Sequence, residues 1–225
     1  MTDLITAHVS ALELALRGPR RTRKDMISEV RAGLRDAAAA YREGGYPPEQ
    51  AAAWAVRDFG PVREIAPEFQ DELTARQGRW SALFYAVAFP GMMLAWDLFW
   101  SFGWTRGSAG PASSAVVALA RVEDAASVVV GVAALAVLVL SFRRSVPAYR
   151  LTRAIGIIGA TGALLCGGMA LVMNLAGTHK AAMYVLTHPV SIVPYAGSAL
   201  MMALIMWQSH RTLRVAAAAH ARQWR

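Results

Sequence analysis

The chain has 225 residues, 56% of them apolar, and a charged fraction of 17% against about 25% in ordinary globular chains. With a mean hydropathy of +0.34, that excludes bulk disorder, and the single cysteine, Cys166, excludes a disulfide scaffold. The formal charge of +8 suggests a nucleic-acid or membrane-surface protein until it is divided by position. Residues 1–79 carry 12 basic and 12 acidic side chains, so the whole excess falls in residues 80–225, which also hold the long apolar runs. Only Lys24 and Lys180 are lysines. Coding bias in an Ala- and Gly-rich chain and bidentate phosphate recognition by arginine both account for that.

The first 79 residues read as a helical module. Residues 1–16 carry Asp3 and Glu13 and lack the basic start and apolar core of a signal peptide, so the module is expected to stay on the side of synthesis. Ile5, Val9, Leu12 and Leu16 fall on one helix face, and Gly18-Pro19 ends that helix. Thr22-Arg23-Lys24-Asp25 has the spacing of a capping box and predicts the start of a second helix, with Ile27, Val30, Leu34, Ala38 and Tyr41 facing inward. Gly44-Gly45 stops it, and Pro47-Pro48-Glu49 opens a third helix burying Ala52, Ala55, Val56 and Phe59. After Gly60-Pro61, a stripe of Val62, Ile65, Phe69 and Leu73 follows, which Pro67 is expected to divide into a turn and a helix.

Four apolar segments come next, at about 80–102, 125–142, 154–176 and 189–208. Each is near the ~20 residues that cross a ~30 Å hydrocarbon layer. Arg76, Arg79, Arg143, Arg144, Arg150, Arg153, Arg211, Arg214, Arg222 and Arg225 flank one side, and only Arg106, Arg121 and Lys180 the other. By the positive-inside rule both termini are cytoplasmic. Trp80 and Trp207 mark the inner interface, and Trp96, Trp100 and Trp104 the outer one. The fold class expected is therefore all-α: a small cytoplasmic helical module (1–79), a four-helix transmembrane bundle (80–208) and a basic cytoplasmic tail (209–225).

Several stretches of the module are similar to a bacterial helical domain, the HAAS or permease prefix domain. They are Leu14-Ala15-Leu16-Arg17-Gly18-Pro19-Arg20-Arg21 with Asp25, Glu29 and Leu34; Gly44-Gly45-Tyr46-Pro47-Pro48-Glu49-Gln50-Ala51; Ala55-Val56-Arg57-Asp58-Phe59-Gly60-Pro61; and Ala66-Pro67-Glu68-Phe69. The ordered set covers about a third of the chain. The resemblance implies an interaction or signalling module on a membrane anchor, in a family often encoded beside PadR-like winged-helix transcription regulators. Permease members carry a large extracytoplasmic domain after the first span, whereas here residues 103–124 leave a gap of only about 22.

Candidate sites follow from residue type and place. Arg17, Arg20, Arg21, Arg23 and Lys24 suit anionic headgroups or a solvated loop beside Asp25 and Glu29, and the module's zero net charge argues against direct nucleic-acid binding. Asp97, Glu123, Asp124, His179 and His188 are expected together at the outer face, as a cation- or pH-sensing cluster or as ordinary loop polarity. Gly159, Ala163 and Gly167 recur every four residues and form a packing seam, within the bundle or between subunits of a homo-oligomer. Cys166 beside it is expected to be a small packing residue, while Pro90, Pro189 and Pro194 interrupt the backbone ladders of spans one and four. Nucleophile-elbow, zinc-protease, phosphate-loop and dinucleotide motifs are absent from the sequence, and Asp58-Phe59-Gly60 stands without the other kinase elements. No catalytic residue, cofactor or metal is expected.

The expected function is that of a bacterial inner-membrane protein whose module binds a cytoplasmic protein, with a PadR-like regulator as the implied partner and the bilayer as the other. Arg31, Arg35, Trp54 and Arg57, on the outer face of the second and third helices, are the candidate contacts. The alternative is a transporter or an accessory subunit of an export permease.

Overall fold

The computed structural model describes residues 4–101, 114–143, 146–176 and 192–220, with the side chains of residues 100, 176 and 220 left aside. Seven helices account for nearly all of them: α1 (Leu4–Ala15), α2 (Arg20–Glu43), α3 (Pro48–Phe59), α4 (Val62–Ser101), α5 (Ser114–Leu140), α6 (Ala148–Ala176) and α7 (Ile192–His220). No strand occurs among the described residues, so the fold is all-α. Contacts divide the chain into two compact units, residues 4–77 with 215–220, and residues 78–214.

The amino-terminal unit is built on the apolar stripes read from the sequence. Ile5, Val9, Leu12 and Leu16 of the α1 segment bury against Ile27, Val30, Leu34 and Ala38 of α2, Ala55 of α3 and Leu73 of α4. Two local expectations need correction. Thr22 does not cap α2: the helix begins at Arg20, with Pro19 at the cap position and no side-chain cap. Proline's fixed φ already suits the helix entrance, which lets the helix start a turn earlier. Pro67 does not divide its segment either, because α4 runs unbroken through it. It sits in the second turn, where the single lost backbone bond is outweighed by the burial of Ala66 and Leu73 on either side.

The turn between α1 and α2 is fixed by a side chain distant in sequence. The Gln70 amide grips the Arg17 peptide at both ends: Arg17 N donates to Gln70 Oε1 at 2.8 Å, and Gln70 Nε2 donates to Arg17 O at 2.8 Å. Gln70 is itself held by Thr74, whose hydroxyl donates to the Gln70 carbonyl at 2.8 Å. Both side chains are buried. The turn packs on α4 at Gly18, where an added methyl would make ordinary contact with Leu73 at 3.8 Å.

Four helices, α4 to α7, are long and apolar enough to cross a membrane, and most of their length lies in the second unit. The protein is a multi-pass membrane protein in architecture. Side-chain pairs give the bundle's register. Ser81 and Thr212 hydroxyls lie 2.7 Å apart, Tyr85 and Ser209 hydroxyls 2.8 Å apart, and Trp96 Nε1 donates to Ser198 at 2.9 Å, so α4 and α7 are antiparallel. Ser127 with Cys166 (3.6 Å) and Val130 against Gly162 set α5 antiparallel to α6. α4 and α6 run parallel, with Thr152 seated on Gly78, Tyr85 on Gly159 and Phe89 on Gly162.

The glycines mark where helices approach most closely. A methyl on Gly159 would lie 2.6 Å from Ser209 Oγ and collide with the Tyr85 ring, and one on Gly131 would lie 2.9 Å from Pro90 Cγ. Pro90 thus nests its ring in α5 while α4 continues through it. Ala163 is buried in the same contact region, but a methyl on Gly167 would meet nothing within 4 Å. The closest approaches on α6 are instead at Gly156, Gly159 and Gly162, and the space at Gly167 is open. Cys166 is buried, as its expected packing role requires. Pro194 lies inside the first turn of α7, and Pro189 lies outside the described residues.

Two substitutions test this packing. Gln70→Ala strands the Arg17 peptide and costs the module about 2–4 kcal/mol, read as faster amide exchange in α1 and the start of α2 of the full chain. Gly159→Leu forces Tyr85 and Ser209 apart and destabilises the detergent-solubilised protein by about 3 kcal/mol, whereas Gly167→Leu shifts its thermal midpoint little.

Candidate functional site

The exposed face of the module that differs most from plain solvated helix is formed where α2 turns into α3. α2 ends in a Schellman motif: Tyr46 N donates to Tyr41 O at 3.2 Å and Gly45 N to Arg42 O at 3.0 Å, with Gly45 at φ 90°. A side chain at Gly45 would be strained there, which is why the chain carries glycine. The motif returns Tyr46 onto Tyr41, ring edge to face at 5.8 Å. Pro48 then occupies the first turn of α3, with Glu49 beside it on the positive end of the helix dipole.

One and a half turns later Trp54 stands 6.5 Å from Tyr46, ring to ring, and the Arg57 guanidinium lies 4.7 Å over the indole. Asp58 accepts a hydrogen bond from the Tyr41 hydroxyl. That bond raises the Tyr41 hydroxyl above the ordinary phenol range, since the carboxylate holds its proton. Tyr46 (44% exposed) and Trp54 (37% exposed) therefore present two aromatic edges, flanked by one cation and one anion. Such a surface is suited to protein contact: rigid aromatics lose little entropy on binding, and a stacked arginine can pair with a carboxylate.

Trp54 and Arg57, expected to be exposed contact residues, are in this group. Arg35 is exposed on α2; one turn earlier, Arg31 is half-buried with an Nε that finds no partner among the described residues. Trp54 lies under Arg57 and meets Tyr46, while Tyr41 ties Asp58 to the same corner. Sequence reasoning missed Tyr41, Tyr46 and Asp58 as members. The legible signal was the Gly-Gly-Tyr-Pro-Pro turn, whose geometry folds one aromatic back on another.

At the far end of the bundle, Asp97 and Asp124 are exposed and close enough for their charges to interact, and Glu123 is half-buried. His179 and His188, expected beside them, lie outside the described residues. Among the described residues no group of three or more His, Cys, Asp or Glu side chains is gathered to hold a metal ion. The clasp at the α4–α7 contact was not foreseen. Gln208 Nε2 donates to Ser81 Oγ at 3.1 Å, and Thr212 donates to the Gln208 carbonyl at 2.8 Å, so these buried groups satisfy one another. In lipid such interhelical bonds hold helices that the hydrophobic effect does not.

Comparison with protein-family models, curated proteins and solved structures finds no match for this chain.

One titratable group is held away from its ordinary range by the module's packing. His8 packs its ring edge-on against Phe59 at 5.9 Å, with Nε2 buried and without a hydrogen-bond partner among the described residues. Burial lowers its pKa from 6.5, so the unfolded chain takes up a proton more readily than the folded one. The stability His8 contributes is complete above pH 6.5 and is lost as pH falls below it. Thermal unfolding of the full chain in detergent should show a drop in midpoint from about pH 7.5 to about pH 5.5 that His8→Leu reduces.

Proposed function

We propose that the chain is a bacterial inner-membrane signalling protein whose termini face the cytoplasm and whose module binds a PadR-like winged-helix regulator. The observation that carries the reading is the exposed Tyr46–Trp54–Arg57 corner, stacked and rigid on a module whose residues 1–79 have no net charge. A neutral module with an aromatic–arginine corner suits a protein partner better than nucleic acid, so contact with DNA would pass through that partner. The arginine-rich side of the spans supports the orientation, and the HAAS-like sequence supports the bacterial assignment.

The mechanism follows from helix continuity. α4 carries the Phe69–Trp80 connector without a break, and that helix is the proposed route by which a rearrangement of the bundle reaches the module. Asp97 and Asp124, exposed acids at the other end of the bundle, are the proposed receiving end, where a bound cation would offset two like charges. The rival reading is a transporter or permease subunit. The buried hydroxyl and amide groups of α4 and α7 would then line its path.

A photo-crosslinking residue at position 57 of the full chain, in growing cells, separates the two. The expected product is a winged-helix regulator, with Trp54→Ala lowering its yield about tenfold. A crosslink to a nucleotide-hydrolysing subunit instead overturns the signalling reading in favour of transport.

A further inference from the structure

Six arginines of the bundle unit are gathered at one end by the register of its helices. The Arg79 guanidinium lies 5.9 Å over the Phe142 ring, which puts the middle of α4, where it enters the bundle unit, beside the end of α5 and Arg143. Thr152 on Gly78 brings the start of α6 there, with Arg150 and Arg153, and Leu213 packed on Gly156 brings in the end of α7, with Arg211 and Arg214. Arg143, Arg150, Arg153 and Arg214 are exposed. Residues 80–225 hold three acids, Asp97, Glu123 and Asp124, and these belong to the other end, where Trp96 meets Tyr195 and Ser198. The bundle unit is thus charge-segregated along its axis.

Two of the arginines, Arg211 and Arg150, are also posed on aromatic rings. Arg211 lies 5.3 Å over Trp207, which is 58% exposed, and Arg150 lies 5.8 Å over Tyr149 while its Nε donates to the Tyr149 hydroxyl at 3.0 Å. A stacked guanidinium spends its face on the ring and points its terminal N–H pairs outward in the plane, the fork that matches a phosphate oxyanion. A lysine ammonium cannot do both. Arg150 and Arg153 stand three residues apart on α6, as Arg211 and Arg214 do on α7, so each pair shares a helix face. Trp80 (65% exposed) and Phe142 (73% exposed) at the same end are the side chains expected where acyl chains meet headgroups.

We propose that this end of the bundle binds the phosphodiester headgroups of anionic phospholipids, with Arg150 and Arg153 on α6 and Arg211 and Arg214 on α7 as the donors. The charge excess of the chain is then a lipid-recognition surface as well as an orientation signal, and the near absence of lysine has a structural use. The proposal is independent of any protein partner of the module.

The test uses the full chain purified in a neutral detergent, with bound lipid counted by native mass spectrometry against added phosphatidylglycerol or phosphatidylcholine. Phosphatidylglycerol is expected to bind about tenfold tighter, with the preference shrinking as salt is raised. Each of Arg150→Gln, Arg153→Gln, Arg211→Gln and Arg214→Gln weakens phosphatidylglycerol binding about three- to five-fold, while Arg121→Gln at the other end leaves it unchanged. Arg211→Lys keeps the charge and the fold but loses part of the preference, because the fork and the stack are gone. Equal binding of the two lipids overturns the proposal, as does a preference that survives all four glutamine variants. Displacement of the lipid by millimolar inorganic phosphate also overturns it, since it would identify a soluble-anion site.

Discussion

Helices in a bilayer gain nothing from burying apolar surface against one another, because lipid tails are as apolar as leucine side chains. The bundle therefore depends on close approach and on interhelical hydrogen bonds. Gly78, Gly159 and Gly162 let Thr152, Tyr85 and Phe89 settle directly onto a neighbouring backbone, and Gly131 receives the Pro90 ring. Ser81, Tyr85, Ser209, Gln208 and Thr212 then tie α4 to α7. Tyr85 takes part in both devices, its ring on Gly159 and its hydroxyl on Ser209, which makes it the residue about which three helices are arranged. Position of charge follows from that arrangement: once α4 is antiparallel to α5 and α7, the arginines collect at one end and Asp97 and Asp124 at the other.

The module obeys the opposite logic. In water the apolar stripes of α1, α2 and α3 are sufficient to bring the helices together, and their burial is the main stabilising term. What they do not fix is the path of the turns. The Gln70 grip on the Arg17 peptide fixes the first, the Schellman motif at Gly45 the second, and the positive φ of Gly60 the third. The Tyr46–Trp54–Arg57 corner is a by-product of the second turn, so the proposed contact surface is created by a helix stop. Its aromatic edges stay exposed because the turn holds Tyr46 against Tyr41 and Trp54.

The stripes of the module and the four apolar runs were legible because helical periodicity and hydropathy are local properties. Every stripe residue named for α1 and α2 is buried or packed on the core. The errors were at boundaries. Thr22 looked like a cap and Pro67 like a break, but both lie inside helices, because a proline entrance and flanking burial outweighed the local signal. The every-fourth spacing of Gly159, Ala163 and Gly167 identified the right helix and nearly the right face. Gly156, Gly159 and Gly162 make the close contacts within the chain, while Gly167 meets none.

By itself the sequence determined that this is an all-helical chain with four segments able to cross a membrane, a charge-neutral helical module before them, and arginine concentrated beside one end of the spans. Those properties are set by composition and by spacing of a few residues. Only the tertiary structure decided which glycines receive which side chains, that Gln70 reaches 53 residues back to a peptide group, and that Trp54 and Arg57 share a corner with Tyr41, Tyr46 and Asp58. It also decided that arginines from three helices and from the turn after α5 converge, with aromatic rings beneath some of them. The physical reason is that such contacts join residues distant in sequence, and no local spacing encodes the register that brings them together.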